Sequence, residues 1–121
     1  MFHLLLEGAP PAKGKSMWMQ IIKTRLKPGS EAELGKLAEH LRAAEQPGSG
    51  LIRSTTTRDQ KDPNTVYTIV TFESEEKARA RERDPRRQEA LQSIRQMMAE
   101  LFDGPPEFID LDVVEEHSGG L

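Results

Sequence analysis

The run Thr65-Val66-Tyr67-Thr68-Ile69-Val70-Thr71-Phe72, entered through Asp62-Pro63-Asn64 and left through Glu73-Ser74-Glu75-Glu76, is the strongest strand signal in the chain. Its β-branched and aromatic side chains suit a pleated surface. Apolar groups stand on both parities, with Val66, Val70 and Phe72 on one and Tyr67 and Ile69 on the other. Alternate residues of a strand face opposite sides of its sheet, so both faces here need cover. Upstream, Leu51 to Arg58 (LIRSTTTR) is a second β-branched run. The Asp-Pro-Asn between the two runs is turn chemistry, and the pair reads as an antiparallel hairpin.

Before the hairpin, Trp18 to Leu26 (WMQIIKTRL) is another strand, stopped by Lys27-Pro28-Gly29. Ser30-Glu31-Ala32-Glu33 has the spacing of a capping box, in which the serine hydroxyl accepts from the third helical N–H and the glutamate reaches back. Leu34, Leu37, Ala38 and Leu41 then recur at the helical period as far as Pro47-Gly48-Ser49-Gly50. After the hairpin, Glu73 to Asp84 is a short, almost wholly charged helical stretch. Asp84-Pro85 reads as an N-cap with proline at the first helical position, where its missing N–H costs nothing. Leu91, Ile94, Met98 and Leu101 form the stripe of that last helix, which Asp103-Gly104-Pro105-Pro106 ends. Glu107 to Val114 is the final strand. The order β-α-β-β-α-β predicts an α+β, ferredoxin-like fold: a four-stranded antiparallel sheet with both helices on one face. The other face calls for cover, and a second copy packed sheet to sheet supplies it, which predicts a homodimer.

A chain of 121 residues with 36% hydrophobic residues, 31% charged residues and a net charge of −3 has room for one domain. Residues 1–16 (MFHLLLEGAPPAKGKS) read as an N-terminal appendage, with an added edge strand or a partner contact through Phe2, Leu4 and Leu6 as the alternative. The domain is expected over 17–116 and a tail over 117–121. With no cysteine, disulfide scaffolds, thiolate zinc and cysteine nucleophiles are excluded, and a reducing, cytoplasmic setting is expected. The apolar run at Leu4 to Leu6 is far short of a membrane span. A mildly acidic balance argues against nucleic acid, and no aromatic residues interleave the arginines of 73–87 to give bases a stacking platform.

His3, His40 and His117 share no element with a carboxylate or second histidine at ligand spacing, so no metal is expected. His40 reads as a surface group. Asp110 and Asp112 emerge on one strand face, where paired carboxylates could divide acid and base roles, although a solvated face or an ion pair is the simpler reading. Between Glu73 and Arg87 the charges nearly cancel; a solvated helical face and an arginine reaching an anionic or enolic group are both open. Nucleotide, nucleophile-elbow and zinc-protease motifs do not occur. Met97 and Met98 read as core filling, with an adaptable lipophilic pocket as the alternative.

From Trp18 to Val114 the chain resembles the antibiotic biosynthesis monooxygenase-like domains of the dimeric α/β-barrel superfamily. The resemblance is carried by LKPGSEAE, PGSGLIRS, TFESEEKA, and the DPR of Asp84 to Arg86 followed by GPPEF. It implies a ferredoxin-like monomer whose sheet packs on that of a second copy, and a lipophilic pocket between sheet and helices. Some members of the family oxidise phenolic polyketides to quinones without metal or flavin, which requires donors aimed at the substrate oxyanion. By the same resemblance Thr68, Phe72, Arg81 and Ile22 are the candidate substrate-binding residues, with no cofactor. Phe72 stands where a tryptophan is common, Thr68 where some quinone formers carry an amide, and Arg81 where many members place a histidine. Ala78 replaces a tyrosine of some quinone formers. The haem-degrading branch fits less well, since no histidine occurs between Pro85 and Phe102 and Ile22 falls near that branch's asparagine. Two functions are therefore expected in competition: a cofactor-independent oxidation of a small aromatic or polyketide-like substrate, and a non-catalytic or stress-related dimer module that binds a small lipophilic molecule.

Overall fold

The computed structural model describes residues 16–120, so the N-terminal appendage lies outside the described residues except for Ser16. The elements are β1 (Trp18–Arg25), α1 (Glu31–Ala43), β2 (Leu51–Arg58), β3 (Thr65–Phe72), α2 (Glu75–Glu82), α3 (Pro85–Leu101) and β4 (Glu107–Asp112). The strands form one antiparallel sheet in the order β2-β3-β1-β4, the predicted ferredoxin-like arrangement. The charged stretch and the long helix are separate because Asp84 is extended and caps α3, accepting from the Arg86 N–H at 2.9 Å. β4 ends at Asp112, two residues short of the expected Val114, where its partner β1 begins at Trp18.

One cap departs from expectation. Ser30 precedes α1 with φ −98° and ψ 5°, and its side chain makes no capping hydrogen bond. An N-cap hydroxyl reaches back only from the extended region, and the tight turn after Lys27, whose carbonyl accepts from the Ser30 N–H at 3.1 Å, holds the serine outside it. Ser74, extended at φ −163° and ψ 161°, does cap α2 and accepts from the Lys77 N–H at 3.2 Å. At the same junction the Gly50 carbonyl accepts from the Glu73 N–H at 2.9 Å. Gly50 has φ +82°, and a Cβ there would lie 2.6 Å from the Lys77 side chain, so only glycine fits.

Register fixes what the sheet presents to the helices. Trp18 lies opposite Phe72 on β3 and Asp112 on β4, and Ile22 lies opposite Thr68 and Phe108. Alternation therefore places Trp18, Gln20, Ile22 and Thr24, with Val66, Thr68, Val70 and Phe72, on the helical side. Two buried clusters form there. One joins Leu26 and Val66 to Leu37, Leu91, Ile94 and Leu101 of α1 and α3. The other joins Trp18, Val70 and Phe72 to Ala78 of α2. On the opposite side Ile109 and Leu111 are exposed, in line with Met19, Ile21, Tyr67 and Ile69.

Candidate functional site

The second cluster is closed by charge. Trp18 and Phe72 are almost fully buried, with ring centroids 6.1 Å apart and planes at 45°. Ala78 sits on them, and its small side chain brings α2 close enough for its neighbours to reach around on either flank. The Arg79 guanidinium lies 4.9 Å from the Trp18 ring centroid, and that of Arg81 lies 5.2 Å from the Phe72 centroid. Each such contact is worth about 0.5–2 kcal/mol, more as water is excluded.

Both arginines are also ion-paired. Arg79 contacts Asp110 at 2.9 Å and Glu75 and Glu82 at 3.2 Å. Asp110 also accepts from the Gln20 side chain at 2.8 Å; hydrogen bonds from Gln20 and Arg79 hold its carboxyl below the ordinary range. These bonds make Asp110 a structural acceptor, while Asp112 lies exposed beside Trp18 in register. Arg81 donates through Nε and Nη2 to the two oxygens of Glu45 at 2.9 and 2.7 Å. Glu45 lies just beyond α1, in the turn leading to β2. Burial pushes its carboxyl up, but hydrogen bonds from Arg81 and Ser49 and the charges of Arg81 and Arg87 outweigh burial and hold it below its ordinary value. For Arg87, burial and then the neighbouring Arg81 charge lower its pKa, and Glu45 acts in the opposite direction.

The four candidate binding residues fall into two pairs. Phe72 and Arg81 are in contact. Ile22 and Thr68 are neighbours across β1 and β3. Thr68 precedes Phe72 by four strand residues, about 13 Å at strand rise, so the pairs share a face without touching. Between the two buried clusters this helix-facing row, with Gln20, Ile22 and Thr68, is only half buried. Next along β1, the Thr24 hydroxyl is buried and has no hydrogen-bond partner, a state that costs about 1–3 kcal/mol unless a bound group satisfies it. An open, polar groove of about 320 Å³ at this end of the sheet is lined by Thr24 together with Lys23, Arg25, Asp62, Thr65 and Glu107. Among the described residues no group of three or more histidine, aspartate or glutamate side chains is placed to hold a metal ion.

Sequence reasoning missed Glu45, Arg79, Trp18 and Thr24 as parts of this region. Thr24 carried a signal, as a hydroxyl in an otherwise mainly apolar row of β1. Glu45 carried none, because its partner Arg81 is 36 residues away in the chain.

Residues 17–93 match the family described as antibiotic biosynthesis monooxygenase. Among solved structures, a candidate antibiotic biosynthesis monooxygenase of Chloroflexus aurantiacus J-10-fl is 25% identical, with a TM-score of 0.62 over 87% of this chain and 100% of that one. One from Bordetella bronchiseptica is 21% identical, with a TM-score of 0.67 over 83% and 99%. SnoaB, a cofactor-independent oxygenase from Streptomyces nogalater, solved as a mutant, is 16% identical, with a TM-score of 0.64 over 84% and 96%. No curated protein matches the sequence.

Proposed function

The chain belongs to the antibiotic biosynthesis monooxygenase family, and from that premise we propose that it binds a small aromatic or polyketide-like molecule between sheet and helices and oxidises it without a cofactor. The observation that carries this reading is the half-buried row between the two core clusters, where Ile22 offers an apolar wall and Thr68 a hydroxyl. The Thr24 hydroxyl beside them is an unmet donor and acceptor. In such a site a hydroxyl aimed at a phenolic oxygen stabilises the anion from which an electron passes to oxygen. The fold shared with SnoaB, a cofactor-independent oxygenase, supports the reading.

A second reading, a dimer module that binds without turnover, is favoured by one observation: Arg81, the cation resting on Phe72, is already neutralised by Glu45. Native mass spectrometry of gently purified protein, followed by oxygen-electrode assay with the class of molecule found, separates the two. A reproducible bound mass that consumes oxygen supports oxidation; a bound mass without oxygen uptake supports the module; an empty protein inert to phenolic substrates overturns both.

The homodimer belongs to the same proposal. Ile109 and Leu111 are exposed on the face opposite the helices, and an apolar sheet face of this kind is covered when two copies pack together. A Leu111→Asp variant that stays folded is expected to run as a monomer in light scattering, and an unchanged mass would remove this face from the interface. Among the described residues no helix is long and apolar enough to cross a membrane.

A further inference from the structure

The Arg81–Glu45 pair is built like a ligand contact. Its two parallel bonds, Nε to Oε2 and Nη2 to Oε1, are the fork-on-fork geometry with which guanidinium recognises a free carboxylate. The carboxylate comes from a turn, while the arginine belongs to α2 and rests on the Phe72 ring. Both side chains reach solvent, at 17% and 22% exposure, so rotation of the Glu45 side chain alone uncovers the guanidinium. Arg87, in the first turn of α3, adds a second positive charge around this one carboxylate. As a source of stability the arrangement is poor, because desolvation offsets much of the attraction in a partly buried pair.

We propose that Arg81 forms a carboxylate subsite which the chain fills with its own Glu45 until a ligand arrives, and that the ligand is a small molecule bearing a carboxylate. The inference rests on the small-molecule reading above and names the chemical class of the ligand. The ligand's carboxylate takes the place of Glu45 on Arg81, and Glu45 swings into solvent. Glu45 thus competes with the ligand and sets a threshold for binding.

Benzoate tests this, with benzamide as the neutral control of nearly the same shape. Each is titrated into the wild type and into Glu45→Ala, following the Arg81 Nε–H resonance and the thermal midpoint, with circular dichroism to confirm folding. Glu45→Ala is expected to bind benzoate about tenfold or more tightly than the wild type, to shift the Arg81 signal and to regain thermal stability with benzoate. Benzamide is expected to do none of these in either protein. Should Glu45→Ala fail to fold, Glu45→Gln preserves the side-chain shape and carries the same expectation for benzoate. Equal benzoate affinity in wild type and variant, or no benzoate binding by the variant, overturns the subsite. Benzoate and benzamide binding alike overturns the carboxylate assignment while leaving the small-molecule reading standing.

Discussion

The two ends of the helix-facing sheet surface are sealed by different physics. At the Leu26 and Val66 end the closure is apolar and mainly aliphatic, with Met97, Met98 and Phe102 packed at its margin and side chains from α1 and α3 driven inward by loss of contact with water. At the Trp18 and Phe72 end α2 contributes little apolar surface, and arginines held by Glu45, Asp110, Glu75 and Glu82 cover the rings. An aliphatic seal opens only when the helix leaves the sheet. A seal of guanidinium on aromatic ring opens by side-chain rotation and can exchange its partner for a solute. The difference makes the second end the one whose cover can move without unpacking a helix, and the first the one that carries scaffold stability.

Truncations at the two ends are expected to show the largest effects. Phe72→Ala should cost about 3–5 kcal/mol and Leu26→Ala about 2–5 kcal/mol in chemical denaturation, the Leu26→Ala loss insensitive to salt. A strong salt dependence of the Leu26→Ala loss would contradict the aliphatic description of that end. Glu45→Gln should cost less, about 1–2 kcal/mol, because the pair still touches water. Its pH dependence has a definite sign. The folded Glu45 pKa is lowered from 4.5, so its contribution is present above that value and is lost as pH falls through the folded pKa. The gap between wild type and Glu45→Gln should therefore be full at neutral pH and close on acidification below 4.5. A gap that widens on acidification would refute the pairing. The caps offer a finer contrast, measured by thermal unfolding: Ser74→Ala at the charged end should cost about 1 kcal/mol, while Ser30→Ala at the aliphatic end should stay within about 0.5 kcal/mol. Arg79→Gln should have the smallest effect at the charged end, about 0.5 kcal/mol at low salt and less at high salt, since exposed pairs are screened.

Local signals carried most of the fold. β2 and β3 have the boundaries that turn chemistry and β-branching predicted, and Asp84-Pro85 starts α3 as its residues require. The capping box at Ser30 failed because the motif specifies residue types, whereas the hydroxyl reaches back only from an extended backbone that the preceding turn denies. For the site, family resemblance selected Phe72 and Arg81, which do meet, and Ile22 and Thr68, which also meet. It did not reveal that the two pairs stand apart on the sheet, since that separation follows from strand rise and register. Nor did any local pattern point to Glu45, whose role arises only when the α1–β2 turn folds over α2.

β4 is an edge of the sheet among the described residues, and it is exposed along its whole length, with Phe108 at 59%. A bare edge with that much apolar surface is a template on which foreign strands can pair side by side into aggregates. Glu107, Asp110 and Asp112 interrupt it with negative charge at close intervals, so an identical β4 approaching edge to edge meets its own carboxylates. Neutralising Asp110 and Asp112 should thus show first as a fall in the concentration at which the protein stays in solution.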